Sequence, residues 1–105
     1  MRNRPAALVE LYATIQAFVN SLGDVELVTR DRYVLMRSKK IFADLVVMTD
    51  ALRLAIHLPG EVKNPLFIKV AAGRRHVTHV AKIRSAKEFD ALKPFLRHAY
   101  EFSLA

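Results

Sequence analysis

Four histidines, His57, His76, His79 and His98, are the side chains of this 105-residue chain best suited to metal ligation or proton transfer. His76-x-x-His79 has ligand-like spacing, but on a strand residues three apart point to opposite faces, so the pair chelates only across a turn. There is no His-Glu-x-x-His pattern and no nearby carboxylate cluster, so no metal or other cofactor is expected. His79 shares its parity with Ala81 and Ile83 and is predicted to point inward, bonded to a backbone group. Cysteine is absent, which removes disulfides, thiolate nucleophiles and Cys-based clusters.

Carboxylates are equally sparse. Asp24, Glu26 and Asp31 are interleaved with Arg30 and Arg32 and read as a turn with solvated charges. Asp44 stands on an otherwise apolar strand face, where a carboxylate needs a partner. Arg53 on the following strand is the obvious one, and with His57 these residues outline a candidate small-molecule pocket. Ser21, Ser38, Ser85 and Ser103 fit caps or turns, and no Gly-x-Ser-x-Gly elbow occurs. Gly23, Gly60 and Gly73 are too scattered for a phosphate-cradling loop. No assembled active site is visible, and a non-catalytic binding module is the expectation.

Charge is the remaining distinguishing mark. Seventeen Lys and Arg against ten Asp and Glu give a net +7. Residues 1–40 hold seven positive and four negative side chains, residues 41–70 three of each, and residues 71–105 seven and three. The candidate contacts for an anionic partner, nucleic acid foremost, are Arg37, Lys39, Lys40, Arg74, Arg75, Lys82 and Arg84, since phosphate backbones bind basic surfaces by counterion release. Arg37-Ser38-Lys39-Lys40 and Gly73-Arg74-Arg75-His76 both fall at strand connections. They could flank a duplex or a single strand as paired wings, with Tyr33 or Phe42 as stacking surfaces.

These residues must be carried by a few elements. Leu8, Leu11, Tyr12, Ile15, Phe18, Val19 and Leu22 form one face of a helix that Pro5 opens and Gly23 ends. Residues 33–37 and 41–48 read as strands. In the second, Ile41, Ala43, Leu45 and Val47 form one face, and Phe42, Val46 and Met48, with Asp44, the other; a strand apolar on both faces is covered on both. Leu52, Leu54, Ile56 and Leu58 alternate with Arg53, Ala55 and His57 up to Pro59-Gly60. Residues 59–65 are a loop, 66–72 an apolar stretch of unsettled type in which Phe67, Ile68 and Val70 favour extended structure, and Val77 to Ile83 a further strand. Ser85 and Glu88 make a capping box before the helical stripe Phe89, Leu92, Leu96, Ala99 and Phe102, which Pro94 is expected to kink or split near residue 93.

The fold expected is α+β: a two-layer sandwich of a four- or five-stranded, mainly antiparallel sheet with N- and C-terminal helices on one face, residues 1–105 forming a single domain. The second sheet face, bearing Phe42, Val46 and Met48, awaits either the 62–72 segment folded back over it or a partner. A protein-interaction role or a homodimer through that face is therefore the alternative function. No apolar run approaches the ~20 residues of a membrane helix, and no secretory leader is visible, so a cytoplasmic location without membrane contact is expected.

The chain from about Leu8 to Ser103 carries Asn20-Ser21-Leu22-Gly23-Asp24-Val25, Phe42-Ala43-Asp44-Leu45, Leu52-Arg53-Leu54 running into Leu58-Pro59-Gly60, Arg74-Arg75, Thr78-His79 through Ile83-Arg84-Ser85, and Ala99-Tyr100-Glu101. In this it resembles a bacterial domain-of-unknown-function family, DUF5655. Two departures from the family pattern are Val77 in place of a tryptophan and Pro94 inside the last helix. The resemblance implies a domain found alone or at the ends of larger proteins, some of them labelled predicted transport proteins. It supplies no catalytic or ligand residues. The outline is also similar to small bacterial double-wing domains proposed to bind DNA, an analogy of fold only.

Overall fold

Helix α1 (Ala6–Ser21) precedes strands β1 (Glu26–Thr29), β2 (Tyr33–Arg37), β3 (Ile41–Val47), β4 (Leu52–Leu58), β5 (Phe67–Ala72) and β6 (Val77–Ile83), and helix α2 (Ala86–Ser103) closes the fold in this computed structural model. The structure describes residues 5–105; Met1–Arg4, including the basic Arg2 and Arg4, lie outside the described residues. All pairings are antiparallel and the strand order is β1-β2-β3-β4-β6-β5.

The sheet has six strands rather than four or five. The strands without a clear sequence signature are its two edges, β1 and β5. Glu26 begins β1, while Asp31 and Arg32 sit at the tip of the turn closed by Arg30 N–H donating to Tyr33 O at 2.8 Å. The charged stretch read as a turn therefore contains a strand. In β1, Glu26 and Thr29 leave only two apolar residues to show a period, while β5 is apolar on both parities apart from Lys69. The 62–72 segment does not fold back over the second face. Its last six residues form β5 beside β6, while Val62 and Leu66 pack against the main core.

Alternation sorts the sheet into two faces. Val34 and Met36, Ala43 and Leu45, Leu52, Leu54, Ile56 and Leu58, and His79, Ala81 and Ile83 share one face through their cross-strand pairing. Both helices bury their apolar stripes in the same core: Leu8, Leu11, Ile15 and Val19 from α1, Phe89, Leu92, Leu96 and Ala99 from α2. Phe18 and Phe89 lock the helices edge to face at 5.6 Å.

Phe42 corrects the expected second face. The pairing shifts between Met36↔Ala43 and Arg37↔Ile41, leaving Phe42 as an extra residue in β3. Such a bulge breaks alternation, so Phe42 is buried beside Ala43 and packs edge to face on Tyr100 of α2 at 5.7 Å. Ile41, expected with Ala43 and Leu45, is exposed instead.

Helix α2 also differs from expectation, because it runs unbroken from Ala86 to Ser103 through Pro94. Pro94 is exposed. The hydrogen bond that its missing N–H forfeits is thus on the solvent side, where water can satisfy the carbonyl four residues back. Ser85 caps the helix, its Oγ accepting from Glu88 N–H at 3.2 Å while Glu88 Oε1 accepts from Arg84 N–H at 2.8 Å.

Candidate functional site

The expected basic contacts divide between two regions of the sheet. β2 ends and β3 begins at the edge of the sheet where β4 ends and β6 begins. The β2–β3 and β5–β6 turns therefore project from the same end. Lys39 is the tip of the first, closed by Ser38 N–H donating to Lys40 O at 3.0 Å. Arg74 and Arg75 are the tip of the second, closed by Gly73 N–H donating to His76 O at 2.9 Å. Three strand spacings separate the two turns in the sheet order, about 14 Å. Arg37 lies just inside this end, opposite Glu26 on β1.

The hairpin tips at the opposite end are not basic. They carry Asp31-Arg32 and Thr49-Asp50, the latter closed by Met48 N–H donating to Ala51 O. Arg84 belongs to that region and faces Asp50 at 3.6 Å. Lys82 sits on the face away from the helices, paired across to Arg53. The structure thus brings together Lys39, Lys40, Arg74 and Arg75, with Arg37 nearby, and leaves Lys82 and Arg84 apart.

His57 on β4 lies between the basic turns, and His76 closes the second of them. The rings of His57 and His76 stack with 4.0 Å between centroids and 11° between planes. His57 Nδ1 pairs with Ile41 O at 3.2 Å. Burial, reinforced by the neighbouring His76, pushes the His57 pKa below the usual histidine range; the Ile41 carbonyl and Asp44 partly offset this. His79 has different partners and is fully buried. Its Nε2 accepts from Val62 N–H at 2.9 Å and its Nδ1 pairs with Val77 O at 3.0 Å, an arrangement that requires the neutral Nδ1–H tautomer. His76 and His79 are therefore engaged separately, and no group of three metal-ligating side chains occurs among the described residues.

The face away from the helices is uncovered by any described segment. Across its middle run Val28, Leu35, Asp44, Ala55, Val80 and Lys69, paired strand to strand. Tyr33, Val46, Arg53 and Lys82 form the next row. Ala55 and Val80 are only 4% and 3% exposed, so the longer side chains around them shield the centre. Asp44 has Arg53 and His57 as charged neighbours, yet its pKa is raised, because burial outweighs both. The ion pairs among the described residues are Arg84–Asp50 and Lys93–Asp90; the expected Asp44–Arg53 contact pair does not form.

A cavity of about 240 Å³ opens at the basic end, lined by Lys40, Phe42, His57, Arg75, His76 and Phe102 among others. Sequence reasoning missed this grouping. His76 precedes its strand, and the bulge that turns Phe42 inward leaves no mark in the apolar pattern. Lys40 Nζ donates to the main-chain oxygen of Ala105 at 3.3 Å, and the hydroxyls of Ser38 and Ser103 are hydrogen-bonded to each other. These contacts tie the β2–β3 turn to the end of α2.

Two helices on one face of a six-stranded antiparallel sheet, with cationic hairpin tips gathered at one end, define a small α+β domain with a basic edge. The chain belongs to the family described as Domain of unknown function (DUF5655), which matches residues 1–103. Neither a curated protein nor a solved structure matches it. No helix among the described residues is long and apolar enough to cross a membrane.

Proposed function

We propose that this domain is a binding module for an anionic partner, nucleic acid, engaged through the β2–β3 and β5–β6 turns. The observation that carries the reading is the projection of Lys39, Lys40, Arg74 and Arg75 from one end of the sheet. Their separation of about 14 Å is close to the roughly 12 Å width of a duplex major groove. Two cationic tips at that distance can sit on phosphates either side of a groove, positioning the domain without reading bases. Fluorescence anisotropy with a short labelled duplex and a single strand tests this: binding at about 50 mM salt should weaken steeply as salt rises.

A second reading, self-association, is supported by the uncovered face bearing Val28, Leu35 and Val46, with Tyr33 41% exposed. Light scattering across a concentration series tests it. A strictly monomeric species at high concentration removes it.

A further inference from the structure

The cavity at the basic end has two chemically different parts. Half-buried Phe102 gives it an apolar side, with buried Phe42 beneath, while Arg75, His57, His76 and Lys40 supply nitrogen donors. Among the described residues no carboxylate side chain lines it. Lys40 is partly committed to the main-chain oxygen of Ala105, where its charge meets the negative end of the α2 dipole. Arg75 is exposed and makes no ion pair among the described residues. The volume, about 240 Å³, falls below the roughly 300–1,000 Å³ usual for drug-sized ligands. It suits one planar group with a charged substituent, and not a length of strand.

We infer that this cavity binds a nucleoside monophosphate unit, with its planar base against the half-buried Phe102 ring and its terminal phosphate at Arg75, His57 and His76. The inference deepens the proposed nucleic-acid binding, because the unit can be the phosphorylated end of a strand or a free nucleotide. A terminal phosphate is favoured over an internal diester on proton chemistry. Its second ionisation lies near pH 6, so it can hold a proton between its own oxygen and a ring nitrogen, whereas a diester has none to share. His57 Nδ1–H is spent on Ile41 O, and a proton gained at Nε2 turns that atom into a donor toward the phosphate. The charged groups around His57 are Asp44 and Arg53 on the sheet, His76 and Arg75 on the β5–β6 turn, and Lys40 on the β2–β3 turn. Cations thus dominate, and an incoming anion stabilises the protonated ring.

The test measures binding of a short oligonucleotide with and without a 5′-phosphate, with 5′-AMP and inorganic phosphate as competitors, using wild-type protein, Arg75→Gln and His57→Gln. The phosphorylated strand is expected to bind roughly tenfold more tightly, the size of one hydrogen bond to a charged group, and the advantage should grow from pH 7.5 to 6. Competition by 5′-AMP should exceed that by inorganic phosphate, and both variants should lose the phosphate-dependent gain. Arg75 is exposed, so Arg75→Gln should keep the wild-type melting temperature. Strands that bind equally with and without the phosphate, and are untouched by 5′-AMP, overturn the inference while leaving nucleic-acid binding in place. Binding of 5′-AMP alone, without any strand, supports the cavity and removes the broader proposal. Binding of neither removes both.

Discussion

His57 and His76 lie ring on ring, 4.0 Å between centroids and 11° from parallel, which ties the end of the central strand β4 to the β5–β6 turn. Two neutral imidazoles can stack, but two imidazolium ions repel. Burial, with His76 next to it, holds the His57 pKa below its unfolded value. The unfolded chain therefore takes up a proton at His57 before the folded one does. Stability is complete above about pH 6.5, the unfolded histidine value, and falls as pH drops through the depressed folded value. Urea unfolding from pH 7.5 to 5 should show a loss that His57→Gln reduces. Parallel profiles for the two proteins would contradict this.

Asp44 carries the opposite sign. Its pKa is raised, mainly by burial and despite His57 and Arg53, so its ionised form opposes folding. The corresponding stability is present at acid pH and lost as pH rises through the folded value. Asp44→Asn should raise the unfolding midpoint slightly at pH 7 and leave it nearly unchanged near pH 3, as followed by thermal melts. A lower midpoint at pH 7 would show that Asp44 is held by a favourable charge contact.

Gly23 approaches Tyr100 so closely that a Cβ at position 23 would collide with the phenol oxygen, and its φ of +155° disfavours a side chain as well. Gly23→Ala should cost about 1–3 kcal/mol by overpacking. Tyr100→Phe in the same chain should recover part of that, since the oxygen goes but the ring carbon stays near. A double-mutant cycle in urea measures the coupling. Strict additivity would contradict the contact.

Buried His79 serves the backbone. Replacing it with Leu keeps an apolar bulk but orphans the Val62 N–H, which now donates to Nε2 at 2.9 Å. The expected loss is about 1–3 kcal/mol, with hydrogen exchange at Val62 quickened first as the 59–66 loop comes loose. Unchanged exchange at Val62 would show that the ring does not hold that loop.

The sequence made legible those elements whose burial is one-sided and regular. The α1 stripe from Leu8 to Val19 and the alternation from Leu52 to Leu58 correspond to a helix and a strand with a single buried side. β1 escaped because it is four residues long with two of them exposed. β5, where Phe67, Ile68 and Val70 favour extended structure, stayed unsettled because it is exposed along most of its length: Ile68 is 63% exposed, so no period is imposed on its neighbours. Phe42 misled because one extra residue in β3 reverses the parity that follows from counting. Pro94 misled because its cost depends on which side of the helix it occupies, and α2 places it in water. For the candidate site, placing basic residues at turns was within reach of pattern reading. Which turns share an end depends on strand order, and Lys82 and Arg84 fell outside the group for that reason.

The paired basic turns are proposed to hold a polyanion. The most direct measurement is anisotropy of a short labelled oligonucleotide across a salt series, comparing wild-type protein with a variant carrying Lys39→Gln, Lys40→Gln, Arg74→Gln and Arg75→Gln, and with Arg84→Gln as a control at the other end. Four phosphate contacts predict a slope of log affinity on log salt of about −3.6 on a duplex and about −2.8 on a single strand for the wild type, nearly abolished in the quadruple variant and retained in Arg84→Gln. Absence of binding at about 50 mM salt, or a slope that the quadruple variant leaves unchanged, would contradict the account.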